Sequence, residues 1–511
     1  MKRIPLLTGS RIAVAEAPED AVILRPPAPG EAVADVEAAV RDALRFPLAG
    51  EPLEALASRG ARATIVVEPP ALPIPGSARD PRQAAVAATL DELERIGVRG
   101  EDQTLLVAGG LARRAGREEH KLLVSPELAR RFRGRVEVHD AASEGLVELG
   151  SQSGRPLRVH RALVRTDLVV SVTAAESVLH GGPAALLGAA DPGTIRAAGA
   201  ESLLETGGSA GWESALALER ALSARVPLMG VSLALAHPRL AGSLSGWPYD
   251  AESVERIASS PLRPLFSALP APLRAHVLRS LRCDLGVTGV FGGPPSAAHA
   301  EALLRAIEAR SAVLDGRLDA IVIGIPRTTP HLPRERPNPL LAAALGLGLA
   351  LRLWRDAFPL VDGGTVILVH GFDRHFSHPT QQPYRAFFAS GRMGWQPERL
   401  AAAEAAAASD ERALKAYREG RACHPLLPFA DWAGCGPALR RAGDVLVAGC
   451  RDGVAARQLG FIATRGLRAA LHMVEGRVGP SARVGYLLSP PYFPLRVSES
   501  SQNRTGQCTR P

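Results

Sequence analysis

Three short apolar runs, each opening into a loop that cannot prolong it, constrain this 511-residue chain most. They are Ala63–Val67 (ATIVV), Thr104–Ala108 (TLLVA) and Asp167–Val172 (DLVVSV). Aliphatic and β-branched runs of this length, without polar alternation, predict strands buried on both faces. The first enters Glu68–Gly76 (EPPALPIPG), whose prolines forbid helix and central strand. The second meets Gly109–Gly110, and the third leads to His180–Gly181–Gly182–Pro183. Pro81–Ile96 and Glu118–Arg131 have helical spacing between them, and Arg135–His139 reads as a further strand. This alternation predicts an α/β fold with mostly parallel sheets flanked by helices. The loops at the strand ends then share one sheet edge, where open α/β sheets bind ligands.

The stretch Thr166–Ile195 is the centre of that reading. A strand passes through the Gly-Gly-Pro turn into a helix over Ala184–Ala190, closed by Asp191–Pro192–Gly193. Earlier, residues 1–50 read as a short strand and polar connector, with helical spacing over Val33–Leu44. Val226–Ala234 is another strand. Beyond it, Leu318–Gly324, Gly363–Val369, Val445–Ala448 and Arg483–Leu487 read as strands, with helices over Leu340–Trp354 and Leu459–Val474. This second run of strands and helices reads as a further α/β domain. Residues 496–511 are polar and patternless, a disordered tail by composition.

Composition narrows the partners. Hydrophobic residues at 46% and charged residues at 22% describe an ordinary globular chain. The net charge of +8 is nearly all arginine, the lysines being Lys2, Lys121 and Lys415. The arginines form no long run and lack interleaved stacking aromatics, which argues against nucleic acid as a partner. Five cysteines without a CxxC favour a reducing, cytoplasmic setting. The N-terminus lacks the apolar core of a signal peptide. The longest apolar run, Pro339–Leu351, is too short to span a bilayer, so no integral membrane contact is expected. Arg263–Arg282 (RPLFSALPAPLRAHVLRSLR) is arginine-rich and amphipathic, a surface helix pair that could meet a protein partner or a membrane surface.

Several segments keep a common order: Glu176–Ser177, Gly181–Gly182–Pro183, Leu187–Ile195 (LGAADPGTI), His139–Ala141, Thr288–Ile307 and Gly363–Val369. Together they resemble the nickel-pincer lactate racemase family, over roughly residues 45–235 and 285–492. The resemblance implies a two-domain α/β fold with a cleft, its domains at residues 1–309, with an insertion over about 235–284, and 310–495, and an isomerase acting on 2-hydroxy acids. In that family a lysine carries a nickel-pincer nucleotide, a histidine completes the metal, two histidines exchange the proton and an arginine holds the carboxylate. Here the lysine position is Ala184 and the nickel-ligand position is Gly199. The second-loop histidine is Ala112, the arginine is Leu72, and a Gln and a Lys of the second domain are Ala342 and Leu345. Gly181, Gly182, Gly110 and Arg113 match cofactor-holding positions, Trp432 persists after Asp431, and His180 stands near the family's turn histidine.

The resemblance therefore implies inherited architecture without the nickel-pincer cofactor or its racemase activity. The cleft would be left to bind a small molecule, a hydroxy acid or related carboxylate. His180, Glu176 and Trp432 are the groups from which any remaining catalysis would be built. Two alternatives stand beside this. One is a non-catalytic binding or assembly protein using residues 263–282. The other is a divalent-metal enzyme built on His370, Asp373, His375 and His378, three imidazoles and a carboxylate within nine residues.

Overall fold

Two six-stranded sheets frame the protein in a computed structural model. It describes all residues except 71, 73, 75–78, 177–183, 327–337, 375, 377, 391–396 and 499–511, and the side chains of 117–119. The first sheet runs Val287–Gly293, Leu228–Leu235, Leu168–Ala175, Ala63–Val67, Gln103–Val107, Arg135–Val138. Its neighbours are parallel except the Val287–Gly293 edge. All five residues of Ala63–Val67 and all eight of Leu168–Ala175 are buried, because helices cover both faces. The second sheet is parallel throughout: Ile462–Thr464, Ala442–Ala448, Leu360–Val369, Leu318–Gly324, Val484–Leu487, Val22–Leu24.

The chain start packs against the second half. Lys2–Thr8 and Arg11–Ala17 form an antiparallel hairpin. Its Ile4 and Leu6 are fully buried in one cluster with Val322, Ile367 and Tyr486. Val22–Leu24 then adds the edge strand beside Val484–Leu487. A three-residue apolar run can complete either sheet, so only the tertiary pairing decides which. The insertion also leaves the first sheet. Its helices are Ala251–Ser259, Leu262–Ala268 and Ala271–Ser280. Val254 and Ile257 join the cluster of Ile4 and Leu6, and the Trp247 indole donates to the Ser489 carbonyl.

Other boundaries move for local reasons. Leu459–Val474 is not one helix: Gly453–Gln458 ends, Gly460 turns at φ +76°, Ile462–Thr464 pairs at the sheet edge, and Leu467–Val478 follows. Asp191–Pro192–Gly193 opens a helix instead of closing one. The Asp191 carboxylate accepts from the Gly193 and Thr194 N–H groups, capping Pro192–Ala197. The helix expected over Leu340–Trp354 starts at Pro339, widens into a π turn over Ala344–Leu349 and tightens at Ala350–Arg352. Residues 496–498 of the expected tail are strand, since Leu495–Ser498 pairs with Ala312–Asp315, and the rest lies outside the described residues. One apolar cluster runs from Val169 and Leu218 to Ile321, Leu368 and Val447, so the two halves share a core. Among the described residues no helix is long and apolar enough to cross a membrane.

Candidate functional site

A cavity of about 920 Å³ lies where the strand ends of the first sheet face two helical segments of the second half, Pro339–Arg352 and Leu427–Arg441. The three strand-end loops meet there: Glu68 and Leu72 from the first, Gly109, Ala112 and Arg113 from the second, Glu176 and Ala184 from the third. Leu345 and Asp431 line it from the second half. Small residues bring the helical walls together. A Cβ on Gly348 would stand 3.3 Å from the Gly434 carbonyl carbon, and one on Gly346 only 2.6 Å from Leu368 Cδ2.

One wall carries a buried charge cluster. Arg82, the first residue of the helix Arg82–Arg95, is 1% exposed. Its guanidinium reaches Glu176 at 2.9 Å, Asp80 at 3.0 Å and Glu68 at 3.3 Å. Glu68 Oε1 also accepts from the Ala174 N–H at 3.1 Å. Its Oε2 is buried and has no hydrogen-bond partner among the described residues. Burial pushes the Glu68 carboxyl up to about 7, although Arg82 pulls it down. Asp80 is raised too, for the same reason. Burial opposes the charge on Arg82, but three carboxylates drive it well above its ordinary value. Arg310 ends the helix Pro295–Arg310 and donates to the Glu176 carbonyl at 2.7 Å and to the Tyr492 carbonyl. Burial lowers it to about 10, and its Nε is without a partner among the described residues.

His299 also lines the cavity. Thr173 donates to Ser232 at 3.0 Å, and His299 Nδ1 lies 3.2 Å from the Thr173 hydroxyl and 3.3 Å from that of Ser232. Burial lowers the imidazole to about 4, so it is neutral at pH 7. On the opposite wall the Tyr384 hydroxyl donates to Asp431 at 2.7 Å, and burial raises that carboxyl to about 7. Arg352 donates to the Ala200 carbonyl, and burial lowers it to about 10.

The residues singled out in the sequence part company here. Glu176 and Arg113 line the cavity, and Arg113 Nη1 donates to the Gly420 carbonyl at 3.0 Å. Gly110 shapes the turn instead of lining the cavity: at φ +57° it donates to the Gly188 carbonyl at 2.9 Å and accepts from the Tyr417 hydroxyl at 3.1 Å. Trp432 is half-buried against Phe461, with ring centroids 6.4 Å apart, and its neighbour Asp431 faces the cavity in its stead. His180, Gly181 and Gly182 lie outside the described residues, as does His375. His370 is buried, accepts from the Phe372 N–H at 3.0 Å, and is pushed down to about 4 by burial. His378 Nδ1 meets Thr380 Oγ1 at 2.7 Å. Neither these histidines nor Asp373 line the cavity, and among the described residues no three His, Cys, Asp or Glu side chains gather to hold a metal.

Sequence reasoning missed Arg82, Asp80, His299, Arg310 and Arg352. Arg82 meets Glu176 across 94 positions and Arg310 meets it across 134, so no local spacing announces the cluster. In contrast, the replaced positions Leu72, Ala112, Ala184, Gly199 and Leu345 all line this one cavity, while Ala342 is fully buried.

Residues 9–191 match the model of the lactate racemase N-terminal domain. The lactate racemase apoprotein of Thermoanaerobacterium thermosaccharolyticum is similar in fold, with a TM-score of 0.62 at 16% identity over 98% of this chain and 100% of that one. A Thermotoga maritima protein of known crystal structure aligns with a TM-score of 0.50 at 13% identity, covering 92% of this chain and all of that one. No curated protein matches the sequence. Residues 9–191 thus resemble the lactate racemase N-terminal domain, and the chain as a whole shares the fold of a lactate racemase.

Proposed function

We propose that this lactate-racemase-like protein has lost nickel-pincer racemase chemistry and keeps the cavity between its halves as a binding site for a small hydroxy acid or related carboxylate. The observation that carries this is the lining of the cavity. The pincer group of the family needs an amine for attachment and a neutral imidazole to complete the metal. Lys2, Lys121 and Lys415 are the only lysines in the chain, and none lines the cavity. The tether position is Ala184. At the metal-ligand position, Gly199, no described atom beyond its chain neighbours lies within 4 Å of where a Cβ would stand. His299 is the imidazole lining the cavity among the described residues, and its Nδ1 is engaged by hydroxyls. This donor set does not fit the pincer group, and no step is derived through it.

The same walls offer groups for an oxygen-rich ligand. Glu68 Oε2, Arg310 Nε and Arg352 Nε are buried polar atoms without partners among the described residues, in walls that are otherwise largely apolar. Such atoms are costly unless something satisfies them. Two guanidinium groups suit a carboxylate, and a Glu68 carboxyl near neutrality can donate to it or accept from a hydroxyl.

Two measurements test the reading. Purified protein incubated with matured pincer cofactor should gain no mass and leave single enantiomers of 2-hydroxy acids unchanged. Racemisation at rates typical of the family overturns the loss of chemistry. Calorimetric titration with D- and L-lactate and larger 2-hydroxy acids should give saturable binding of at least one. No heat from any of them removes the ligand class.

A further inference from the structure

The second and third helices of the insertion, Leu262–Ala268 and Ala271–Ser280, present apolar side chains that the fold does not cover. Leu262 is 67% exposed, Leu265 66%, Leu273 47% and Val277 38%. Four of the fifteen strongly exposed large apolar side chains among the described residues thus fall within sixteen consecutive positions. Leu262–Ala268 has no buried residue at all. Its Leu262 and Leu265 are held outward, while Phe266 is half-buried.

The charge of this segment is one-sided. From Arg256 to Cys283 there are five arginines and His276, and no Asp or Glu. Arg279, Arg282 and His276 are exposed, and exposed Arg11 lies on the hairpin strand that packs against Leu262–Ala268. The pair is also fixed in shape. Arg274 donates to the Ser267 carbonyl at 3.0 Å and to the Leu269 carbonyl, tying the connecting turn. Leu278 and Leu281 pack inward on the second half. Outward leucines on a segment whose own charges are all basic, though exposed Glu255 and Asp284 flank it, match the interfacial zone of an anionic bilayer: the leucines enter the acyl boundary while guanidinium groups meet phosphates.

We propose that this helix pair docks the protein peripherally on an anionic lipid surface. The outward leucines stand singly on two short helices. A fluid interface conforms to such tips, whereas a protein partner would have to supply a shaped pocket for each. In a flotation assay the full chain should rise with phosphatidylcholine vesicles containing phosphatidylglycerol, stay behind with phosphatidylcholine alone, and be released by salt. Because Leu262 and Leu265 are each about two-thirds exposed, the double variant Leu262→Asp and Leu265→Asp should melt as the wild type does and no longer float. Arg282→Gln should weaken vesicle binding about five-fold, the equivalent of about 1 kcal/mol per surface arginine. A folded wild type that ignores anionic vesicles overturns the proposal, as does a double variant that floats undiminished. So does a wild type that pairs with a second copy through this face while leaving vesicles unbound.

Discussion

A carboxylate oxygen without a partner is expensive in a protein interior, and Glu68 carries one, among the described residues, at the wall of the cavity. The group escapes part of that cost by keeping its proton. Its carboxyl titrates near 4.5 when unfolded and near 7 when buried, so between those values the folded state holds the extra proton. The stabilisation is complete below about pH 4.5 and is lost as pH rises through about 7. Urea unfolding across this range should show stability falling with pH, by on the order of a few kcal/mol in total with Asp431 contributing in the same direction. Glu68→Gln should flatten the slope. A slope identical to the wild type would mean that Glu68 is ionised throughout. None of this was legible in the sequence. Glu68 reads there as the first residue of a proline-rich loop, and Arg82 as one cation on an amphipathic helix. The replaced positions were legible, because an Ala or Gly in register with a resembled motif can be read without knowing its neighbours.

Elements differ in how much their own residues decide. The runs at 63–67 and 167–172 emerge as strands because they are buried on both faces and nothing local competes. The turn chemistry at Asp191 misled, since Asp-Pro-Gly suits a helix start and a helix end alike until the carboxylate is seen capping Gly193 and Thr194. The short helix Ala184–Gly188 shows contact deciding composition. A Cβ on Gly188 would stand 2.4 Å from the Ala108 carbonyl oxygen, so glycine there lets the helix rest on the second strand-end loop. Gly188→Ala should destabilise the protein by about 1–3 kcal/mol, measured by urea unfolding, because backbone must move to relieve the overlap. An unchanged midpoint would mean that the two segments slide apart freely.

At the scale of the molecule, the two halves are joined by single polar residues as well as by a shared core. Tyr417, from the second half, is fully buried; its hydroxyl accepts from the Ala141 N–H and donates to the Gly110 carbonyl, both in the first half. Tyr417→Phe leaves both backbone groups unpaired and should cost about 1–3 kcal/mol. If the halves act as one cooperative unit, unfolding should remain a single transition at a lower midpoint; two separated transitions would show that this contact carries the coupling. What the amino-acid sequence alone determined was the alternation of buried strands with helices, the loops that gather at one sheet edge, and the absence of a lysine from every loop of the cavity, for these depend on residue type and short-range period. The tertiary structure alone decided that residues 2–24 and the insertion cover the second sheet, that Trp432 turns from the cavity, and that Arg82 gathers three carboxylates. Each of those depends on partners far apart in sequence, whose meeting is fixed by the packing of whole elements and leaves no periodic trace in the chain.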